Sequence, residues 1–293
     1  MRHNLPVPPD KRSSKHLKDL VSPADKLTQI VCRLICLFFL IIFILPIGYV
    51  LLSSVHSRGS WGLDGYLLLL QNDLVLTGLK NSVLLALLGT AYSLALEIPA
   101  AFVLSKKQYG WLTNLFFALG QFGVALLPLY LLLKQMGLLN SLWGLILPTG
   151  LSVYYTQMLR ARMINLPAEL EDAAAMDGCG PLRYLFGICL PLIGPTVGVF
   201  AFFHICGYWS NTLLARTFLT DERKFPLTLV LDRVLIRNQG ADVFGAVVTA
   251  ESLAALQMAE FGLCVISALP PILAFLFIKK HVRAMETDGG VVM

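Results

Sequence analysis

The amino-acid sequence predicts an all-α polytopic membrane protein built as a bundle of six transmembrane helices. Three observations carry this reading. Only 14% of the 293 residues are charged, where a soluble domain carries roughly 25%. The mean hydropathy is +0.71. Six apolar runs recur along the chain, each near the ~20 residues that a helix needs to cross a bilayer. The formal charge of +5 is not the footprint of a nucleic-acid partner, because the basic residues lie mostly at the ends of apolar runs, where they set orientation.

In chain order, residues 1–28 form a basic tail with Arg2, Lys11, Arg12, Lys15, Lys18 and Lys26 and four prolines, a composition that resists packing. The apolar run at 30–52 is long enough to span, and no small-residue cleavage site follows it, so it is read as the first span and not as a removed leader. Further spans are expected at 82–104, at 112–133 with Gln121 and Pro128 inside, and at 142–159, a short polar one. The last two are at 188–209 and at 258–278, the latter broken by Pro270 and Pro271. Prolines inside spans need neighbours or water to satisfy the freed backbone groups, which argues for a packed bundle. These spans make 29–283 one transmembrane domain, followed by a tail at 284–293. Residues 53–81 are expected to be an outer loop that packs little apolar surface. The outer segment 210–257 is too long to be structureless in a compact domain and is expected to be partly helical and folded against the bundle. No internal repeat is visible.

Six spans place both termini on one side. Fifteen of the 23 Lys and Arg residues fall on that side and eight on the other, so the positive-inside rule puts the termini and the loop 160–187 in the cytoplasm. Trp61, Trp111, Trp143 and Trp209 lie at span ends, as an aromatic belt requires. The six cysteines form no CxxC pair and mostly lie in or beside apolar runs. They are read as small buried residues, with no metal or disulfide role.

The most informative stretch is 166–192, LPAELEDAAAMDGCGPLRYLFGICLPL. Pro167 suits the first turn of a helix. Glu169, Glu171 and Asp172 put negative charge near the positive end of its dipole. Ala173, Ala174 and Ala175 are strong helix formers. Gly178 supplies a left-handed helix stop, and Gly180-Pro181 restarts the chain into a second helix that runs into a span. Asp172, Ala173 and Ala174 are followed after three residues by Gly178. Nine residues further on come Ile188, Cys189, Leu190 and Pro191. This spacing resembles the EAA loop of ABC importer permeases, with Asp in place of the usual Glu. Two weaker likenesses, Pro99-Ala-Ala-Phe with Leu104-Ser-Lys-Lys and Gly137-Leu-Leu-Asn with Leu145 to Pro148, point to the carbohydrate-type branch typified by MalG and LplC-like permeases. The tail after Arg283 departs from that pattern.

The resemblance implies a type I six-helix importer permease bundle with a cytoplasmic coupling helix. It implies a bacterial plasma-membrane protein that moves a sugar or oligosaccharide delivered by an extracytoplasmic solute-binding protein. The partners implied are a second permease subunit and a cytoplasmic ABC ATPase dimer that holds the ATP and Mg, this chain binding no cofactor. Glu169, Glu171, Asp172, Ala173, Ala174, Gly178, Ile188, Leu190 and Pro191 would make up the ATPase-coupling element. The sequence itself carries no GxxxxGK[ST], HExxH or GxSxG motif, so it shows neither that phosphate loop nor those catalytic constellations.

Polar groups inside the spans are the candidates for a substrate pathway. An acid at membrane depth costs ~2.5–3.5 kcal/mol on insertion scales, so Glu97 must face protein or water. His204 can contact a sugar or pair with Glu97, or be a satisfied structural group. Gln121 and Gln157 can bond sugar hydroxyls or join helices. Tyr154, Tyr155, Tyr208 and Trp209 offer stacking faces, although for Trp209 an interfacial anchor is the plainer account. The alternative function is an ion-gradient-driven secondary transporter, which would need a relay of intramembrane ionisable groups. Glu97 and His204 are its only good candidates, and the missing inverted repeat counts against it. A membrane enzyme would need convergent His, Asp and Glu residues at one face, which the sequence does not supply.

Overall fold

The computed structural model describes residues 23–57, 60–120, 122–123, 125–237, 239–245 and 252–288. It divides into two compact units, the first ending at Leu52 and the second beginning at Ser53. The first unit is essentially one helix, α1 (Pro23–Ser53), which continues through Pro46. At 1.5 Å per residue it is ~46 Å long. Its apolar side chains are exposed, Phe43 at 67%, as suits a surface meant for lipid or a partner rather than water.

The second unit is organised around α3 (Asp73–Ser105), ~50 Å of continuous helix. Asn72 caps it by accepting from Val75 N–H at 3.0 Å, and Asp73 adds charge in the first turn. One face of α3 carries Gly78, Ser82, Ala86, Gly89, Ser93, Glu97 and Ala101, spaced by three or four residues, and all are buried. Small residues at this spacing let neighbouring backbones approach closely. At Gly89 a Cβ would lie 2.7 Å from the Tyr208 ring, and at Gly78 it would press on Leu227 and Val230.

Around α3 stand α7 (Val153–Ile164), α10 (Gly194–Trp209) and α12 (Leu227–Leu235). The long helix α14 (Ser252–Asp288) packs against α10 and against α2 (Asp64–Gln71). Two apolar cores result. The larger holds Leu69, Leu85, Leu145, Tyr208, Trp209, Phe218, Leu227 and Leu263. The smaller holds Ile98, Phe102, Leu159, Ala174, Tyr184, Leu185 and Phe200.

Among the described residues three helices are long and apolar enough to cross a membrane, Thr28–Ser53, Asp73–Ser105 and Leu253–Lys280. They match the first, second and sixth expected spans. The last is not broken, since α14 runs on through Pro270 and Pro271. The expected span 112–133 is divided into α4 (Gly110–Gly120) and α5 (Leu126–Gln135). The expected span 142–159 is divided into α6 (Trp143–Thr149) and α7. The fifth consists of α9 (Pro181–Leu192), which contains a π turn at Leu185–Cys189, and α10, bent by 83° relative to it.

The first two of these breaks fall where another element occupies the space a side chain would need. A Cβ at Gly120 would meet Val153, and one at Gly150 would meet the Tyr92 ring at 2.2 Å.

Residues 53–81 depart from the expected apolar-poor loop. They form a small hairpin, β1 (His56–Ser57) with β2 (Ser60–Trp61), then α2 and the first turns of α3. Leu69 and Val75 are fully buried, and Gly65 lies against the backbone of Met258 and Ala259. The segment 210–257 is partly helical, as expected, through α11 (Thr212–Phe218), α12 and α13 (Gly240–Phe244). It is folded onto α3. Asn81 Nδ2 donates to Arg223 O and Phe225 O at 2.9 and 3.1 Å, and Leu227 N–H donates to Ser82 Oγ at 2.8 Å.

Trp209 is not an interfacial anchor. It is 4% exposed, and its indole N–H donates to Ser267 O at 3.0 Å, tying α10 to α14. Of the six cysteines only Cys189 is fully buried, and Cys32 and Cys36 are exposed. The expectation of small buried residues therefore holds in full for Cys189 alone.

Candidate functional site

The loop 160–187 is a helix, a stop and a second helix. α8 (Ala168–Met176) starts after Pro167 and carries Glu169 and Glu171 in its first turn. Gly178 closes it at φ +69°. Cys179 N–H donates to Ala174 O at 2.9 Å, and Gly178 N–H donates to Ala175 O at 3.0 Å. This is the Schellman closure, which needs a residue free to adopt the left-handed region. Pro181 then opens α9. The pattern in the sequence is thus a pattern of local backbone chemistry.

The predicted coupling residues divide by face. Ala174 points inward, 6% exposed, against Phe102, Tyr184 and Leu185. Ile188 and Leu190 pack on the same core. Glu169, Asp172, Ala173, Gly178 and Pro191 are exposed. Met176, at 89%, projects from the end of α8. Glu171 forms an ion pair with Lys106 at the end of α3.

The Lys106 ammonium also sits 4.5 Å from the Phe102 ring centroid. Arg160 Nε donates to Leu104 O at 2.8 Å. The Ser105 end of α3 therefore holds both α7 and α8. Sequence reasoning missed Lys106 and Arg160 in this role, counting them only as orientation charges, because the pairing is long-range. A cavity of about 710 Å³ lies between α8 and the turn after α3.

Deeper in the unit, three helices meet at Glu97, which is 0% exposed. Its Oε1 accepts from Ser152 N–H at 2.9 Å, and its Oε2 accepts from His204 Nε2 at 2.9 Å. Ser152 is the N-cap of α7, its Oγ accepting from Tyr155 N–H. Glu97 thus satisfies a backbone donor exposed by the break between α6 and α7 and sits where the α7 dipole favours an anion. The Tyr155 ring meets His204 edge-on at 4.9 Å. Tyr208 Oη lies 2.9 Å from Ser93 Oγ. The sequence left His204 open between substrate and Glu97, and the geometry pairs it with Glu97.

A cavity of about 230 Å³ opens beside His204, lined also by Thr149, Tyr155, Phe203, Gly207, Tyr208 and Asn211. Of the other predicted pathway residues, Tyr154 is 64% exposed, with its ring edge-on to Tyr155. Gln157 is half-buried, and its Nε2 has no hydrogen-bond partner among the described residues. Gln121 lies outside the described residues. A third cavity, of about 330 Å³, lies on the segment 210–257 among Arg216, Arg233, Arg237, Glu222 and Phe225. Two of these arginines are committed, Arg233 to Glu222 at 2.6 Å and Arg237 to Asp232 at 3.6 Å.

No family model matches the chain. It is 29% identical over 270 residues to the polygalacturonan/rhamnogalacturonan transport system permease protein YtcP of Bacillus subtilis, covering 87% of this chain and 94% of that one. It is 31% identical over 162 residues to a putative ABC transporter permease protein, ORF1, of Streptomyces antibioticus, covering 52% and 69%. Its fold matches a chain of a bacterial ABC transporter involved in import of the acidic polysaccharide alginate, with a TM-score of 0.78 at 21% identity over 88% of this chain and 98% of that one. It also matches a chain of a bacterial alginate ABC transporter in complex with an alginate pentasaccharide-bound periplasmic protein, with a TM-score of 0.67 at 15% identity, covering 89% and 96%.

Proposed function

This chain belongs to the permeases of ABC sugar transport systems, and we propose on that premise that it is one permease subunit of an ATP-driven importer. It pairs with a second permease and translocates a sugar or oligosaccharide delivered by a solute-binding protein. A separate ATPase dimer, carrying the ATP and Mg, docks on the loop 160–187. The chain lies in a bacterial plasma membrane with both termini cytoplasmic, the side richer in Lys and Arg.

The observation that carries the coupling role is the face division of α8. One side is anchored to the inner end of α3 through Ala174 and Glu171. The other, with Asp172, Ala173 and Met176, is left exposed and small or flexible. A helix held by one face and bare on the other can pass displacement from a docked partner into α3 and α7. Shifting a two-state cavity from 1:99 to 99:1 takes ~5.5 kcal/mol of differential interaction, which has to pass through such a contact. The relatives' names support a carbohydrate substrate, and the alginate importer in complex with its periplasmic protein supports a delivered one. The outer segment 210–257 is the natural seat for that protein.

The gradient-driven alternative is weakened by the same geometry. Glu97 and His204 close on each other and on Ser152 N–H, which suits a structural joint better than a proton relay. The test is an N-terminally tagged chain purified gently from native membranes, alongside a variant with Gly178→Asp and Asp172→Lys. A Walker-motif ATPase, a second permease and a binding protein should co-purify, and the variant should lose the ATPase. Recovery of the chain alone, or as a homo-oligomer without any ATPase, overturns the importer reading.

A further inference from the structure

The cavity beside His204 has a definite chemistry. Its mouth carries two aromatic faces, Tyr155 and Phe203, parallel to within 6° with centroids 6.0 Å apart. Phe203, 45% exposed, lines the cavity. Asn211 uses its Oδ1 to accept Leu214 N–H, and its Nδ2 donors have no partner among the described residues. Thr149 donates its hydroxyl hydrogen to Leu145 O at 2.8 Å, which leaves its Oγ1 lone pairs to accept. His204 has its Nε2 held by Glu97 at 2.9 Å. The cavity therefore offers an apolar aromatic face, a pair of N–H donors on Asn211 and an acceptor on Thr149.

We propose that this cavity is a subsite for one neutral sugar ring, resting on the reading of the chain as a carbohydrate permease. A pyranose has an apolar C–H face that stacks on an aromatic ring and an edge of vicinal hydroxyls that both donate and accept. The volume of about 230 Å³ suits about one ring. It falls below the ~300–1,000 Å³ of sites that enclose a drug-sized ligand, so the rest of an oligosaccharide lies outside it. No Lys or Arg lines the cavity. The ionisable groups at its wall, His204 and behind it Glu97, are committed to each other. A uronate carboxylate placed here would lose water without gaining a Lys or Arg partner, so the ring accepted is uncharged.

The test uses the full-length chain with its co-purifying partners in lipid nanodiscs and ligand-observed saturation-transfer NMR. The probes are methyl rhamnoside, methyl glucoside and methyl galacturonide. Gly207 lines the cavity and has open space where a side chain would point, so Gly207→Trp fills the cavity from within. The two neutral glycosides should receive saturation in the wild type and lose it in Gly207→Trp. Asn211→Ala, a milder change, should weaken it ~3–10-fold, the worth of one hydrogen bond. The galacturonide should receive none in either. An equal galacturonide signal overturns the neutral assignment. A neutral signal that persists in Gly207→Trp, or is absent from the wild type, overturns the subsite. If no ATPase or second permease co-purifies with the wild type, it is the importer reading that has failed. If they co-purify and the NMR is negative, the subsite alone has failed.

Discussion

Removing Glu97 should do more harm than removing Glu97 and His204 together. The carboxylate is fully buried and accepts two hydrogen bonds, from Ser152 N–H and from His204 Nε2, each at 2.9 Å. Glu97→Leu leaves both donors buried without a partner. Each such orphan costs ~1–3 kcal/mol, so the single change should cost ~2–6 kcal/mol, in keeping with ~3–5 kcal/mol for a broken buried pair. His204→Leu leaves a buried carboxylate with one partner instead of two, again a cost of ~3–5 kcal/mol. In Glu97→Leu/His204→Leu only Ser152 N–H is orphaned, at ~1–3 kcal/mol, together with the edge contact between Tyr155 and His204, worth ~0.5–1.5 kcal/mol. The double variant should therefore melt above Glu97→Leu, the two losses being strongly non-additive. The assay is survival of the monodisperse size-exclusion peak of purified, detergent-solubilised protein after heating, run on all four proteins together. Losses that simply add, with the double variant below both single ones, would refute the claim that these side chains serve each other.

Two further outcomes follow from the glycines. Gly65→Ala places a Cβ 2.5 Å from Ala259 N and 2.6 Å from Met258 C, both backbone atoms that cannot swing aside. It should push α2 off α14 and destabilise by ~1–3 kcal/mol or more, and a melt equal to wild type would show that α2 does not dock there. Gly178 has no atom near its would-be Cβ, and its φ of +69° is the only strain a side chain would meet. Gly178→Asn should be tolerated and Gly178→Val should cost ~1–2 kcal/mol, since Asn visits the left-handed region and Val does not. Limited proteolysis of the loop should separate the two, and equal resistance would refute the Schellman closure of α8.

What was legible in the sequence divides along the range of the chemistry involved. The α8 loop was readable residue by residue because its stop is made by Gly178, Cys179 and carbonyls three and five residues back. The spans of α1, α3 and α14 were readable because hydropathy over an unbroken helix is a local sum. The breaks were not. α7 begins at Ser152 because a carboxylate 55 positions away accepts its N–H, and Gly150 is bare because Tyr92 fills the space beside it. Such partners are invisible in a window of 20 residues, so an apolar run interrupted by a compensated break still reads as one span. Trp209 failed for the same reason: at a span end its indole reads as an interfacial anchor, and only the acceptor at Ser267 on another helix makes it a buried tie. Pro270 and Pro271 erred in the opposite sense, suggesting a break that α14 does not have. Neighbouring groups decide the outcome when a backbone bond is lost within a membrane. Polar residues on a small-residue face, such as Ser82, Ser93 and Glu97 along α3, are therefore better guides to where a span will be clasped or cut than the hydropathy of the run they interrupt.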